Sequence, residues 1–297
     1  EIVDGRIVKV AEGEPSTSST ELVFDAHNAT VTPGFIDLHV HGGNGGAFTS
    51  VDPAEHNLAR EFHLKNWTTS MLASTHTMEF ESLLAILKAL SNSSKTNKNG
   101  SKVLGIHTEG PFISEHKPGA HVVSQLRVGD LLAIDEVISA ADNFISMVTV
   151  APEISGGLEM IRYLSNKNIV SSIGHSNASY AQVVEGIKAG AKSTTHLFNA
   201  MSPLLHRDPG VVGAILENEE IFAELILDGI HIHEAIFRIA LKCKGIDRIN
   251  LITDATFLAG LSDGEYGAQP DRAVTKIGGK IVLAGTDTLA GSALTMN

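Results

Sequence analysis

The chain has 297 residues, 43% hydrophobic and 19% charged, with 28 glycines. That composition describes a loop-rich globular protein and excludes a fibrous or disordered one. The length exceeds a typical domain of about 100–200 residues, yet a single α/β barrel reaches it, so one large core suffices. A formal net charge of −12 argues against non-specific affinity for nucleic acid or anionic membrane, while leaving room for a local basic pocket that holds an anionic small molecule.

The one cysteine, Cys243, falls in the apolar helical pattern "EAIFRIALKCK" and reads as a packing residue. It allows no internal disulfide, so a reducing, cytoplasmic setting is expected. No apolar run approaches the ~20 residues of a membrane span, and the opening "EIVDGRIVKV" lacks the layout of a signal peptide. The missing initiator methionine points to a few residues lost at the start.

In chain order, "EIVDGRIVKV" and "TELVFDA" read as short strands with a glycine-containing turn, one part of a small β domain over residues 1–32. From residue 33 to 268 short β-branched runs alternate with segments of helical period, the pattern of repeated βα units around a parallel sheet. The strands are "GFIDLHV", "TSMLAST", "KVLGIHT", "FISMVTV", "IVSSIG", "KSTTH", "IFAELIL" and "INLIT", which together predict a (β/α)8 barrel of the TIM type. Helices are expected over 53–65, 80–91, 127–140, 157–166, 179–189 and 232–243, with a loop-dominated link after His196 where the sixth should stand. The stretch "SNSSKTNKNG" reads as a polar loop away from the chemistry. Residues 269–297, including "RAVTKIGGKIVLAG", return as strands toward the small β domain, a β-sandwich built from both ends of the chain.

A (β/α)8 barrel builds its active site where the strands end at their C-terminal face. Strand one ends in His39 and His41, strand two runs into His76, strand three into His107 and Glu109, and strand four into Pro152 and Glu153. Strand five ends at His175 and strand six at His196, while strand seven leads to Asp228 and His231 and strand eight to Asp254. Alone, each has a plain reading as a hydrogen-bonded structural histidine or an aspartate N-cap. Together they converge on the barrel axis and offer nitrogen and oxygen ligands to a hard or borderline divalent ion. Alternate residues of a strand share a face, so both imidazoles of "HVH" can reach one ion, with Val40 facing away. Gly42 and Gly43 let the chain turn sharply after them.

The motifs "PGFIDLHVHGG", "HTEGPFISEHKPGAH", "GHSNASY", "THLFNAMSPLLHRDPG", "DGIHIH", "LITDAT" and "TLAGSALTM" resemble the amidohydrolase superfamily and, within it, the N-acetylglucosamine-6-phosphate deacetylase family. The resemblance runs through almost the whole chain. It implies metal-dependent hydrolysis of the N-acetyl group of the sugar phosphate, giving glucosamine 6-phosphate and acetate. Glu109, His175 and His196 match the main metal site, with Glu109 where many superfamily relatives carry a carboxylated lysine. His39 and His41, which some members lack, imply a second ion with Glu109 as bridge and Asp254 nearby. Two divalent ions per subunit are therefore expected, and imidazole with carboxylate suits zinc, iron, manganese or cobalt.

By the same resemblance Asp254 matches the catalytic aspartate, which accepts a proton from water and hands it to the amine, because an amide nitrogen does not leave as an anion near neutral pH. His121 or His231 would join the metal in stabilising the oxyanion. Ala120 and His121, Asn199 and Ala200, Arg207, Asp228, Gly229, Ile230 and His231, and Leu289, Ala290 and Gly291 match sugar-phosphate contacts. Arg207 suits a phosphate because its planar fork donates two hydrogen bonds. The family completes its phosphate site across a dimer interface, which implies a homodimer.

Other polar residues stay open or plain. His107 either supports a ligand or packs in the core, or is itself a ligand; His76 supports a ligand or packs, and His206 is a phosphate contact or a solvated loop residue. His233 reads as helix-start surface and Glu153 as structural. The family continues past "GSALTM" with strands that complete the small β domain, so part of that domain is expected to be missing here. Two competing readings are a hydrolase of cyclic amides and a barrel scaffold without catalysis. The first usually carries a bridging lysine on strand four, absent from "FISMVTVAPE"; the second ordinarily loses ligands that this sequence keeps.

Overall fold

A computed structural model describes residues 1–13, 22–267 and 273–297. Among them, eight strands form one parallel sheet: β1 Phe35–Val40, β2 Thr68–Thr75, β3 Lys102–Glu109, β4 Ile145–Val150, β5 Val170–Ile173, β6 Ser193–Thr194, β7 Phe222–Ile226 and β8 Ile249–Ile252. Each expected strand is present, in sequential order. β6 is only two residues long, yet it pairs on both sides, with β5 and β7. The sheet comes round on itself just past β1 and β8, where Asp254 N donates to His39 O and His41 N to Ala255 O, both at 2.8 Å. Asp37, fully buried in β1, ties the same seam by accepting from Thr253 N at 3.3 Å and Thr253 Oγ1 at 2.5 Å. This is the TIM-like barrel.

The helices are α1 Pro53–Lys65, α2 Phe80–Thr96, α3 Leu131–Ala140, α4 Gly157–Asn166, α5 Tyr180–Ala189, α6 Gly210–Glu217 and α7 Glu234–Lys244. They bury apolar stripes at helical spacing against the sheet: Leu83, Ile86, Leu87 and Leu90 on α2, Ile134, Val137 and Ile138 on α3, and Met160, Ile161 and Leu164 on α4. Each fully buried side chain of this kind is worth about 1.5–3 kcal/mol relative to exposure, so the core lies mainly between sheet and helices. Local signals set the ends. Asp52 caps α1 by accepting from Ala54 N, ahead of Pro53 at the first turn. Ser179 and Gln182 form a capping box on α5, which Gly190 ends in a left-handed conformation.

Three helix expectations need correction. A sixth helix exists: α6 fills the unit after His196, and Gly210 to Leu216 are all buried, so it shows no amphipathic period. α2 runs to Thr96, through half of the stretch read as loop, because Ser91 and Ser93 turn inward. Ser93 Oγ donates to Leu90 O and lies 2.6 Å from His56 Nδ1. α3 starts at Leu131 rather than 127, because Asp130 takes the cap and accepts from Leu132 N. Cys243 is also corrected: it is exposed, since α7 turns Ala240 and Lys244 inward instead. The Lys244 ammonium donates to Ile215 O and Asn218 O and so caps the C-terminal end of α6.

Outside the barrel, Ile2–Val3 and Arg6–Ile7 pair as an antiparallel ladder. Leu22 to Ala26 form no strand, while Thr20 and Glu21 of the expected "TELVFDA" lie outside the described residues. At the other end, β9 Gly264–Tyr266, β10 Val274–Ile277 and β11 Lys280–Leu283 form an antiparallel sheet; Arg272 is outside the description. Buried Lys276 of β10 donates to Leu258 O and Leu261 O and anchors this sheet to the loop after β8. No helix among the described residues is long and apolar enough to cross a membrane.

Candidate active site

The C-terminal ends of the strands bring the expected ligands together. Glu109 divides its two oxygens between two histidine pairs. Oε1 lies 3.1 Å from His175 Nε2 and 2.8 Å from His196 Nε2. Oε2 lies 3.3 Å from His41 Nε2 and 3.6 Å from His39 Nε2. Asp254 Oδ1 is 3.1 Å from His41 Nε2 and 3.4 Å from His39 Nε2. Three of these residues, His175, His196 and Asp254, have φ of 46°, 32° and 52°. Left-handed backbone at a side chain with a Cβ costs about 1–2 kcal/mol and persists where surrounding structure over-determines it, as at functional sites.

These donors fit a divalent cation. His39 Nε2 lies 3.0 Å from His41 Nε2, and His196 Nε2 lies 3.1 Å from His175 Nε2. Nitrogen lone pairs so close repel unless a proton or a metal ion stands between them. Two groups of mutually close ligand atoms result, His39 with His41 and Asp254, and Glu109 with His121 and His175. Imidazole nitrogen with carboxylate oxygen is the chemistry of borderline divalent ions.

Without an ion, protons do the cation's work. Burial by itself disfavours the imidazolium of His39, but the Glu109 and Asp254 charges raise its pKa well above the ordinary histidine value. Burial likewise opposes ionisation of Glu109 and Asp254. The His39 charge and bonds from His121, His175 and His196 nevertheless hold Glu109 well below the usual range, and His39 and His41 hold Asp254 at about 2. His39 is thus protonated at neutral pH in the ion-free protein and must lose that proton to ligate. Zinc added to metal-stripped protein is therefore expected to expel protons, since the pKa of His41 is raised as well, with affinity weakening as pH falls. Calorimetry in two buffers of different ionisation heat checks this; identical apparent heats would rule it out.

His121 sits beside Glu109, its Nε2 3.5 Å from Oε2. Proximity alone would make it a ligand, but Thr77 N donates to its Nδ1 at 3.2 Å. A neutral ring that accepts at Nδ1 carries its proton on Nε2, which makes it a donor into the site rather than a ligand. Burial, then the His175 charge, pushes its pKa down to about 4 and keeps it neutral. His231, another imidazole on the cavity wall, is held through its Nδ1: Asp228 Oδ2 lies 2.7 Å from that nitrogen, and Asp228 Oδ1 accepts from Ile230 N and His231 N.

A cavity of about 1020 Å³ opens over these groups. Ala120, His121, Asn199, Ala200, His231, Leu289, Ala290 and Gly291 line it, whereas Asp228, Gly229 and Ile230 do not; Asp228 instead holds His231 in place. The Leu289–Gly291 wall is pinned by Ser292, whose N donates to Asp254 O at 2.8 Å and whose hydroxyl donates to Thr253 O. Gly291 is required there: its φ is 65°, and a Cβ would lie 2.4 Å from Thr256 Cγ2. Arg207 and His206 are exposed on the loop before α6 and lie outside the cavity of a single chain.

The remaining polar residues separate cleanly. His107 is buried below the ligands, its Nδ1 3.2 Å from Ser74 Oγ and its Nε2 2.8 Å from Thr149 Oγ1. That contact continues to Thr195 and Ser172 as a belt of hydroxyls across the barrel interior. His76 lines the cavity, with Nδ1 3.0 Å from Thr77 O. Glu153 accepts from Ser176 Oγ and Asn177 N, and His233 caps α7 by accepting from Ala235 N. Sequence reasoning missed two buried carboxylates, Asp37 at the seam and Glu224 of β7, whose Oε2 lies 3.4 Å from His39 Nδ1. The available signal was a single acid inside an apolar strand run, "GFIDLHV" and "IFAELIL".

Comparison with known proteins agrees with this site. The amidohydrolase family profile matches residues 30–297. An N-acetylglucosamine-6-phosphate deacetylase of Bacillus subtilis (strain 168) is 38% identical over 100% of this chain and 75% of its own length. An N-acetylgalactosamine-6-phosphate deacetylase of Escherichia coli O157:H7 is 33% identical over 89% of this chain and 70% of its own. The crystal structure of N-acetyl-D-glucosamine-6-phosphate deacetylase from Mycobacterium smegmatis superposes with a TM-score of 0.91 at 38% identity, covering 100% of this chain and 76% of that one. With the barrel, the strand-end ligands and the profile in agreement, the chain belongs to the amidohydrolase family.

Proposed function

We propose that the chain hydrolyses N-acetylglucosamine 6-phosphate to glucosamine 6-phosphate and acetate. One observation carries this reading: Glu109 shares its oxygens between two histidine pairs, with Asp254 beside one of them, on the wall of a cavity lined by Ala120, His121, Asn199, Ala200, His231 and Leu289 to Gly291 from the expected sugar-phosphate contacts. Glu109, His175 and His196 would hold one ion, and His39, His41 and Glu109 a second, drawn from zinc, iron, manganese or cobalt. Such ions supply Lewis acidity, lowering the pKa of a water toward ~7 and polarising a carbonyl.

The chain's own groups do the rest. Asp254, held ionised, takes a proton from the attacking water and returns it to the amine nitrogen. His121 donates from Nε2 to the acetyl oxygen as negative charge develops there, because Thr77 N occupies its other nitrogen. His231, steadied by Asp228 at Nδ1, meets the sugar from the cavity wall. Arg207, exposed on its loop, meets a phosphate in a homodimer. The terminal segments, 1–32 and 269–297, belong to a small β domain beside the barrel, and a phosphorylated sugar substrate assigns the reaction to the cytoplasm. A cyclic-amide hydrolase fits less well, since β4 "ISMVTV" has no lysine and Glu109 of β3 holds the bridging place.

Acetate release should be measured on the 6-phosphates of N-acetylglucosamine and N-acetylgalactosamine, with metal analysis of the same sample. Turnover is expected on the first; none on either with metal loaded would overturn the reading, and faster turnover of the second would reassign the substrate. Arg207→Ala is expected to raise KM for the phosphorylated sugar about 10- to 100-fold, the worth of a charge-assisted bidentate contact, and to leave the unphosphorylated sugar unaffected. Equal effects on both would remove Arg207 from the phosphate site.

A further inference from the structure

β7 carries one carboxylate into the barrel interior. Glu224 is fully buried, as are its strand neighbours Ala223 and Leu225. Its Oε2 lies 3.4 Å from His39 Nδ1, and its Oε1 is buried without a hydrogen-bond partner among the described residues. The far edge of the same imidazole faces the site, with Nε2 3.0 Å from His41 Nε2 and 3.4 Å from Asp254 Oδ1. His107 packs edge-on against the ring, centroids 4.6 Å apart, and is itself held by Ser74 and Thr149. The ring is therefore held from behind and from the side. A carboxylate at Nδ1 keeps the proton on that nitrogen and leaves the Nε2 lone pair facing the site. Carboxylates so placed raise the basicity of a ligating imidazole and fix its orientation. A buried acid with a single partner is otherwise costly to keep.

We propose that Glu224 is the positioning residue for the ion of the His39–His41 pair, holding His39 as the Nδ1–H tautomer and setting the affinity of that ion but not of the ion on Glu109, His175 and His196. The proposal rests on the two-ion reading above. Its test is a Zn²⁺ titration of metal-stripped protein against a chromophoric chelator, with thermal unfolding of each stripped protein alongside. Glu224→Met removes the acceptor while filling the same apolar surroundings, and Glu224→Gln keeps a neutral acceptor.

Glu224→Met is expected to weaken one of two Zn²⁺ ions about 10- to 100-fold, and Glu224→Gln to weaken it less, with the other ion and the stripped-protein Tm little changed. In a His39→Gln, His41→Asn background, Glu224→Met should have no further effect on the remaining ion. A lowered Tm with both affinities unchanged would make Glu224 a packing residue and overturn the proposal, as would equal weakening of both ions. If the wild-type protein takes one Zn²⁺, and the double variant retains it, the two-ion reading fails and the proposal falls with it. Two ions of unchanged affinity in Glu224→Met overturn the proposal alone.

Discussion

Asp254→Asn is expected to lower kcat by about 10²–10⁴-fold, the range of general acid–base catalysis, while metal content stays at the wild-type level. The backbone around Asp254 is held from two sides: its N donates to His39 O, and its O accepts from Ser292 N. Its φ of 52° is one that asparagine adopts as readily as aspartate. The amide should therefore occupy the position of the carboxylate, so the substitution removes basicity rather than geometry. An amide neither accepts the water's proton nor returns it to the leaving amine, and both transfers fail together. Acetate release under saturating substrate, with metal analysis of the same preparation, separates the two roles available to Asp254. Loss of metal in step with activity would make it chiefly a ligand, consistent with Oδ1 at 3.1 Å from His41 Nε2, and would move the proton transfers elsewhere.

The eight barrel strands were legible in the sequence because each is a short run of apolar or β-branched residues, and the ligands were legible as polar residues at the ends of those runs. α6 was not, since a helix buried all round carries no period to read. The end of α2 was hidden for the opposite reason: its serines look like loop until tertiary contacts, such as Ser93 against His56, use them. Within the site, "HVH" and "HTEGPF" announce side chains, whereas the Thr77 amide that orients His121 is backbone and leaves no mark on the sequence. Asp37 and Glu224 are a third case. Asp37 shares the period-two face of His39 and His41, a cue to an inward side chain, but only the fold shows that it binds Thr253 across the seam. Glu224 lies 185 positions from His39 along the chain, and their contact exists only because β7 and β1 flank β8 from either side once the sheet closes, so that their inward side chains meet.

Glu109→Gln is expected to remove activity almost entirely by emptying the site rather than by slowing a step. Both oxygens of Glu109 are in use, Oε1 toward His175 and His196 and Oε2 toward His39, His41 and His121. An amide presents one oxygen and one NH₂, so whichever way it turns, one histidine pair loses its acceptor and meets a donor. The lost charge matters equally. With the Glu109 carboxylate gone, the burial that disfavours charge on His39 loses its main opponent, so the pKa of His39 is expected to fall in the ion-free protein even with Asp254 and Glu224 in place. Zinc titration of the stripped variant should then show weaker binding together with fewer protons released than in the wild type, a pairing that simple misfolding would not produce. Glu109→Asp keeps the charge on a stem one methylene shorter, so it should reach one pair and retain about one ion where the wild type holds about two. A Glu109→Gln protein that kept both ions and near-normal turnover would show that the carboxylate neither bridges the two histidine pairs nor is needed to hold the ions.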